Sequence, residues 1–454
     1  MLDNVTSSVC ENNAIIALNR FGYGAKAGEL NQAVKNPKQW IIQQLQPIAF
    51  DNRFPHSNDI FLDHEKFKKA KKRLKQQKNT NQAKNPVLKN MARKNMNLMS
   101  ADTLNKAISS SNSVSWRLLD FFSNHFSVTA NGPLMTGLSA TLEREAIAPN
   151  LLGKFEDLLL AVEQHPAMLI YLNNERSFGP NAKISKKKNK GLNENLAREI
   201  LELHTLGVNS GYTQSDVIEL AKGISGWSVF NPSKERSVGF TFRSNGHEPG
   251  TRKLLGISYP AGGIAQGEKM LRDIAVNPAT AKHICYKLAH HFVSETPSET
   301  LLNDMENTWK LSGGDIKQVM ISLFNSDEAW LETPQKFKTP REFVISSFRA
   351  LGKTPKDKML LASLAMLGQK PFNAGSPDGY SDSEKDWLGA SALMARIDWS
   401  VKLSSFREHI NAEKIMHTAL ALPSTAHTYK SVIRAETRPQ ALTLLLMSPE
   451  FQRR

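Results

Sequence analysis

Apolar side chains at three- and four-residue spacings recur along most of this chain, and no other feature constrains its fold more strongly. Residues with this spacing share one face of an α-helix, and that face must be buried against other elements. Every apolar run falls short of the roughly 20 residues that a membrane helix needs. The sequence therefore predicts a mainly α protein without a membrane span, with helices over residues 14–20, 37–45, 116–126, 155–163, 193–206, 216–223, 278–293, 316–324, 341–351, 359–367 and 390–403.

One segment departs from the helical pattern. Val238, Phe240 and Phe242 alternate with other residues and precede the turn sequence Ser244-Asn245-Gly246. A period of two is typical of a half-buried strand. We therefore expect a large multi-helix domain with a small β-hairpin insertion near residues 228–256.

The chain has no Gly/Ser-rich or Pro-rich linker and no internal repeat, so we interpret residues 1–454 as a single helical domain. Its length and its 40% hydrophobic content are sufficient for a large core. Within the domain we predict four parts: a basic helical arm or insertion over 66–108, a central helical core over 109–226, a β-hairpin segment over 227–262 and a C-terminal helical part over 263–454.

The net charge of +15 comes from two short segments. Residues 66–94 contain 12 Lys and Arg and no acid, and residues 183–190 contain five lysines and no acid, which leaves the rest of the chain close to neutral. The first segment has no aromatic residue after Phe67 on which bases could stack. This pattern favours a solvated arm and makes a nucleic-acid partner unlikely. The second segment, KISKKKNK, is expected to be an exposed loop.

Cysteine content and the N-terminus bear on the compartment. Cys10 and Cys285 do not form a disulfide framework in a chain of this size, and the sequence leaves open whether they pair. No basic segment followed by an apolar stretch marks a signal peptide at the start. We expect a cytoplasmic protein, with a periplasmic or envelope-associated location as the alternative.

The strongest site candidate is the helix predicted over residues 193–206. Asn195, Arg198, Glu199 and Glu202 fall within an arc of roughly 100° on it, while most of the remaining surface is apolar. Charged groups on a buried helix must be paired, hydrated in a cleft or bound to a ligand. The pattern indicates either a functional site or a salt-bridge network in which Arg198 and Arg144 satisfy the two acids.

Two histidines add to this candidate. His125 is flanked by aromatic residues, and His247-Glu248 follows the predicted hairpin turn, where loops commonly present functional groups. If these residues converge with Glu199 and Glu202, they could hold a divalent metal that activates water. Convergence of carboxylates with one imidazole would instead suit general acid/base chemistry on a sugar. The spacing leaves both open.

Two sequence blocks at the centre of the chain are NENLAREILELHTLGV and GYTQSDVIELAKGISGW. Together with other ordered blocks along nearly the whole chain, they resemble the bacterial family catalogued as domain of unknown function 1800. Glu248 stands where relatives usually have Asp, which keeps the carboxylate and lengthens its reach by one methylene. The other blocks are ALNRFGYGA, DFFSNHFSV, HPAMLIYLNN, NPATAKHICYKLAHHFV, SGGDI and LGQKPFNAGSPDGY.

The resemblance implies a mainly helical fold. It also implies a shared pathway at the cell envelope with a sulfatase-like protein encoded nearby, because genes of the two families are often neighbours. Many relatives carry an export signal, which is not visible in this sequence, so this comparison counts against the envelope alternative.

These observations lead to one functional hypothesis and one alternative. We expect a hydrolase-like enzyme with a polar cleft that acts on an anionic or glycan-like envelope substrate. The alternative is a non-catalytic binding or chaperone-like partner of a sulfatase-like protein. The cofactor is unknown, and a divalent metal is one option, with His125, His247, Glu199 and Glu202 as candidate ligands. The catalytic candidates are these same four residues, and the substrate-binding candidates are Arg198, Asn195, Arg144 and Glu248.

Overall fold

A computed structural model describes residues 10–76, 86–188, 191–230, 239–333 and 336–454. The prediction of a mainly α fold is confirmed, because helices make up most of the described residues and strands make up only two small sheets. The α-helices after residue 16 are Glu29–Ala33, Pro37–Gln43, Ser57–Gln76, Pro86–Ser109, Ser113–His125, Gly132–Leu142, Ala148–Asn150, Phe155–Glu163, Pro166–Tyr171, Lys183–Lys188, Asn195–Glu199, Gln214–Gly223, Ile264–Ala275, Pro278–Phe292, Glu299–Ser312, Ile316–Asn325, Pro340–Leu351, Asp357–Met366, Ala390–Ser405, Ala412–Ile415, His427–Ile433, Arg438–Leu446 and Pro449–Gln452.

In the described part of the chain, four segments of five residues are wound as π-helix. Such segments are uncommon and often occur at functional sites, because the wider turn redirects side chains. Two of them supply groups that are important below, the side chain of Glu143 and the backbone carbonyl of His204. The segments are Ala17–Phe21, Glu143–Ile147, Ile200–His204 and Met416–Leu420.

Two antiparallel pairs of three-residue strands occupy the region predicted to form a hairpin. Strand β1 (Trp227–Val229) pairs with β2 (Phe240–Phe242), with Trp227 opposite Phe242. Strand β3 (Arg252–Leu254) pairs with β4 (Ile257–Tyr259). The alternation at Phe240 and Phe242 therefore predicted a strand correctly, and a second pair continues past residue 256. Val238 lies outside the described residues.

Local capping explains where several helices begin. Asn277 accepts a hydrogen bond from the backbone of Ala279, and Pro278 occupies the first turn, as the Asn-Pro sequence predicts. Thr213 and Asp216 form a capping box. Thr339 and Glu342 form a second one at the start of Pro340–Leu351. This second box orients Glu342 beside the site described below.

The core is one continuous cluster of buried apolar residues from Ala14 to Phe451. An aromatic series runs through it, with ring centroids 6.2 Å apart for Phe122 and Phe126, 6.3 Å for Phe126 and Phe155, and 5.2 Å for Phe155 and Trp309. These contacts hold one side of helix Ser113–His125 against the core. Within the described residues, no helix is both long and apolar enough to span a membrane.

The two basic segments differ from each other. The basic side chains whose positions are described in 66–94 are all exposed, and residues 77–85 lie outside the described part, so the solvated arm stays a prediction. The expectation of a loop over 183–190 is wrong for its first six residues, because Lys183–Lys188 is a short helix. Residues 189–190 lie outside the described part. Cys10 is exposed and Cys285 is buried, and both are free thiols.

Candidate active site

A cavity of about 150 Å³ is lined by several parts of the chain that are far apart in sequence, including Tyr23 and the start of helix Pro340–Leu351. Helix Ser113–His125 provides one wall, the π-helical segment Glu143–Ile147 a second and helix Pro278–Phe292 a third. The fourth wall is residues 371–382, which we call the rim loop. Tyr286 borders the cavity and is 44% exposed, so the cavity reaches the surface there.

Asp120 carries a negative charge that its neighbours neutralise. It lies near the end of helix Ser113–His125, accepts a short hydrogen bond from the hydroxyl of Tyr23, and forms a short ion pair with Arg341. Burial and the charge of Asp120 together raise the pKa of Tyr23 well above its usual value. The hydroxyl therefore keeps its proton and acts as a hydrogen-bond donor that fixes Asp120.

Glu143 is the carboxyl group at the cavity that is best placed to keep its proton. Its two oxygens accept hydrogen bonds from Thr103 Oγ1 at 2.6 Å and from Ser123 Oγ at 3.2 Å. Burial raises the pKa of Glu143, and the charge of Asp120 raises it further, although Arg341 opposes the shift. A carboxyl with a raised pKa is suited to donate a proton.

Glu342 and Arg117 line the cavity and belong to a buried group of ion pairs. Glu342 lies 2.9 Å from Arg117 and 2.9 Å from Arg454. Burial alone would raise the pKa of Glu342, but the charges of Arg454 and Arg117 outweigh it and lower the pKa to about 2. Arg117 also donates from Nε to His291 Nε2 at 3.4 Å. Since an arginine only donates, His291 Nε2 carries no proton.

Asp382 anchors the rim loop to helix Pro278–Phe292. His291 Nδ1 lies 3.0 Å from its carboxylate, so the neutral His291 donates to it. His290 lies 3.5 Å from the same carboxylate and 3.3 Å from Glu295. Burial would raise the pKa of Asp382, but His291, His290 and Lys336 together hold it well below its usual value. The loop is therefore fixed by a charge that is present at any physiological pH.

His125 is a buried, neutral imidazole at the wall of the cavity. Its Nε2 lies 3.1 Å from the carbonyl oxygen of His204, so this nitrogen carries the proton. Burial lowers the pKa of His125 well below its usual value, and the nearby positive charge of Lys287 lowers it further. Its Nδ1 is buried and has no hydrogen-bond partner in the described part of the chain. His125 therefore has a free lone pair.

Lys287 borders the cavity from helix Pro278–Phe292. In the described part of the chain its ammonium group forms no hydrogen bond and no ion pair. Burial lowers the pKa of Lys287 to about 8, although the charges of Asp382 and Asp378 oppose that effect. An unpaired lysine beside a cavity is a ready site for a negatively charged group.

Backbone strain marks the rim loop. Phe372 has a φ of 52°, a left-handed conformation that a bulky residue rarely adopts. Its carbonyl accepts a hydrogen bond from Ala130. Gly379 has a φ of 83° and touches Asn124, whose side chain bonds the backbone of Tyr380 at 2.8 Å in both directions. Strained loops held by specific contacts are common at functional sites.

The predicted stripe on residues 195–202 lies outside the lining of this cavity. Arg198 bonds Glu194 at 3.4 Å and Gln214 at 2.8 Å, and Tyr212 donates to Glu202 at 3.5 Å. Asn195 is exposed. Burial raises the pKa of Glu199, and Glu202 and Asp378 add to this effect. The structure thus brings Arg198, Glu199 and Glu202 together, near Asp378 of the rim loop.

The predicted pair His247-Glu248 has a different set of contacts. Glu248 accepts hydrogen bonds from the backbone and side chain of Asn181, at 2.8 and 2.7 Å, and His247 Nδ1 donates to the carbonyl of Ser225 at 3.0 Å. None of these bonds involves His125, Glu199 or Glu202. In this structure the pair holds two backbone segments together.

Arg144 does not join the stripe. It forms an ion pair with Asp102 at 2.8 Å, donates to the carbonyl of Met99 and lies 4.0 Å above the ring of Phe50. In the part of the chain that the structure describes, no three His, Cys, Asp or Glu side chains are grouped as metal ligands would be.

Of the predicted site residues, only His125 borders the cavity. The stripe analysis missed Asp120, Glu143, Lys287 and Asp382, because each lies on a different element and has no spacing relation to the others. One signal was available: the blocks DFFSNHFSV and NPATAKHICYKLAHHFV contain Asp120, His125, Lys287 and the two histidines that bind Asp382.

Comparison with known proteins agrees with the resemblance in those blocks. The family model described as "Protein of unknown function (DUF1800)" matches residues 16–453. No protein with a curated function and no solved structure matches the chain. Since the family match covers nearly the whole chain, the protein belongs to the DUF1800 family.

Proposed function

We propose that the protein is a hydrolase whose active site is the cavity bordered by His125, Glu143 and Lys287. The observation that carries this proposal is that a carboxyl group and an imidazole, whose neutral forms burial favours, border the same cavity. Glu143 has a raised pKa and His125 a strongly lowered one. A proton donor and a proton acceptor that coexist at one cavity are the basis of general acid/base catalysis.

The reaction assigns one role to each group. His125 Nδ1 accepts a proton from a water molecule, and the water oxygen attacks the electrophilic centre of the substrate. Glu143 gives its proton to the leaving oxygen as the bond to that oxygen breaks. The ammonium of Lys287 offsets negative charge on the substrate. Asp120, Arg341 and Tyr23 form a rigid neutral group beside them.

We favour acid/base chemistry over metal-assisted hydrolysis because the proposed proton donor, Glu143, and the proposed acceptor, His125, border the same cavity. The metal alternative would use His125, His247, Glu199 and Glu202, and among the described residues no hydrogen bond or ion pair joins His125 or His247 to either glutamate.

The substrate class in the proposal is an anionic or glycan-like molecule. The partner is a sulfatase-like protein, which the family resemblance implies, and cell fractionation would decide between cytoplasm and envelope.

The test is hydrolysis of a panel of sulfated, phosphorylated and uronate-containing oligosaccharides and esters. Glu143→Gln keeps the size of the side chain and removes its proton donor, so we expect turnover to fall by about 10²- to 10⁴-fold, and His125→Asn to act similarly. Glu199→Gln and Glu202→Gln are the matched controls and should retain turnover. Melting temperatures of all four variants check that each one folds.

Two results would contradict the proposal. If Glu199→Gln abolishes turnover while Glu143→Gln does not, the active site is the helical stripe and not the cavity. If no substrate is hydrolysed and a sulfatase-like protein binds the wild type and Glu143→Gln equally, the non-catalytic alternative is the better account.

A further inference from the structure

The charged groups around the cavity are paired, with one exception. Arg341 is paired with Asp120, and Arg117 with Glu342. Asp382 is bound by His290 and His291. Among the described residues that border the cavity, Lys287 is the cation without a carboxylate partner.

The groups around Lys287 leave its positive charge without an ion-pair partner among the described residues. The imidazole of His125 borders the same cavity and His283 lies close to it, and burial keeps both neutral, with the pKa of His283 lowered to about 4. Asp378 and Asp382 are close enough to raise the pKa of Lys287 but form no ion pair with it. A positive charge that is partly removed from water, with no carboxylate in ion-pair contact among the described residues, favours binding of an anion.

We propose that Lys287 binds a negatively charged oxyanion group of the substrate, a carboxylate or a sulfate ester, carried on a ring small enough to enter the cavity. A cavity of about 150 Å³ accepts a group about the size of one six-membered ring. This inference names the recognition element of the proposed hydrolase site, and it rests on that function only for the reaction that follows binding.

The negative charge of Asp378 opposes binding of an anionic ligand beside Lys287. It is an exposed residue of the rim loop, and its negative charge stabilises the ammonium of Lys287 when no ligand is present. An incoming oxyanion must overcome repulsion from this carboxylate. Asp378→Asn should therefore tighten binding of the oxyanion at a pH well below the pKa of Lys287, and unchanged affinity would count against a ligand beside Lys287.

The pH dependence of binding follows from the charge of Lys287. The pKa of Lys287 is about 8 in the free protein. An anion binds the protonated form, so affinity is full below pH 8 and falls by about tenfold per pH unit well above it. The bound anion raises the pKa of the lysine, so binding near pH 8 takes up protons from the buffer.

The experiment is titration calorimetry of the full chain with glucuronate, glucose 6-sulfate and uncharged glucose. We expect the wild type to bind at least one of the charged sugars and to bind glucose far more weakly. Lys287→Met should lower affinity for the charged sugar by about 10- to 100-fold, because a charge-assisted hydrogen bond is lost. Lys282→Met, at an exposed lysine on the same helix, is the control and should bind as the wild type does.

The possible outcomes separate this inference from the proposed reaction. Unchanged affinity in Lys287→Met, equal binding of glucose, or no binding of either charged sugar overturns it. The pH dependence of wild-type binding provides a test that does not require a variant to fold. Glu143→Gln should bind the charged sugar normally while losing turnover. If Glu143→Gln binds the charged sugar and loses turnover, while Lys287→Met still binds the sugar normally, only the role of Lys287 in recognition fails.

Discussion

At the scale of single residues, burial is the main cause of unusual chemistry in this protein. Lys338 is 2% exposed, and its ammonium donates to the carbonyl of Phe451 at 2.6 Å and lies 4.5 Å from the centre of that residue's ring. Burial lowers the pKa of Lys338 to about 7, with Glu342 opposing the shift and Arg454 adding to it. Burial also lowers the pKa of Lys287, but Lys287 lies beside a cavity, where its ammonium group can bind a ligand.

Lys338 leads to a prediction about stability. In the unfolded chain, Lys338 has the ordinary lysine pKa of about 10.4. Between pH 7 and pH 10, Lys338 therefore binds more protons in the unfolded state than in the folded state. The free energy of unfolding should therefore rise with pH in this window, with a contribution from Lys338 of up to about 1.4 kcal/mol per pH unit. Lys338→Met should lack that contribution. Urea unfolding of both proteins from pH 6 to pH 10 measures it, and parallel curves would show that Lys338 is not the cause.

At the scale of elements, the rim loop joins the two halves of the site. The loop is tied to helix Ser113–His125 through Asn124 and Tyr380, and to helix Pro278–Phe292 through Asp382 and His291. Its backbone is strained at Phe372. The loop is therefore held in place by contacts with its neighbours rather than by its own local structure.

Gly379 offers a direct test of this arrangement. A Cβ atom there would lie 2.5 Å from the carbonyl oxygen of Asn124, and the φ of 83° disfavours any side chain. Gly379→Ala should displace the loop, destabilise it by roughly 1–3 kcal/mol and speed hydrogen exchange over residues 371–382. Gly375→Ala is the control, because no atom lies within 4 Å of its added Cβ. Equal exchange in the two variants would argue against a role for the close contact at Gly379.

At the scale of the whole molecule, the sequence predicts the helices much better than it predicts the site. Helices Phe155–Glu163 and Pro278–Phe292 follow from apolar spacing, and the second also follows from its Asn277 cap and from the proline in its first turn. The cavity depends instead on tertiary packing, which brings Tyr23, Glu143 and Asp382 together from distant parts of the chain. No local spacing encodes that convergence.

The stripe on residues 195–202 shows why the local signal was incomplete. The helical spacing correctly places Arg198, Glu199 and Glu202 side by side, and the pKa of Glu199 is raised there. A helical projection does not show which side chains border a cavity, since that depends on the neighbouring elements. Of the predicted residues, His125 borders it because one side of its helix packs on Phe126 and Phe155 while the helix also forms a wall of the cavity.

The measurement that tests the central claim most directly is the pH dependence of kcat/KM for the best substrate of the panel, with wild type, Glu143→Gln and Glu199→Gln side by side. Glu143 donates only when protonated and His125 accepts only when unprotonated, so the wild-type rate should peak between the lowered pKa of His125 and the raised pKa of Glu143. It should fall as pH rises through the raised pKa of Glu143. Glu199→Gln should keep this profile, and Glu143→Gln should be slow and lack the fall on the alkaline side. A Glu143→Gln variant with the wild-type rate and profile would contradict the account.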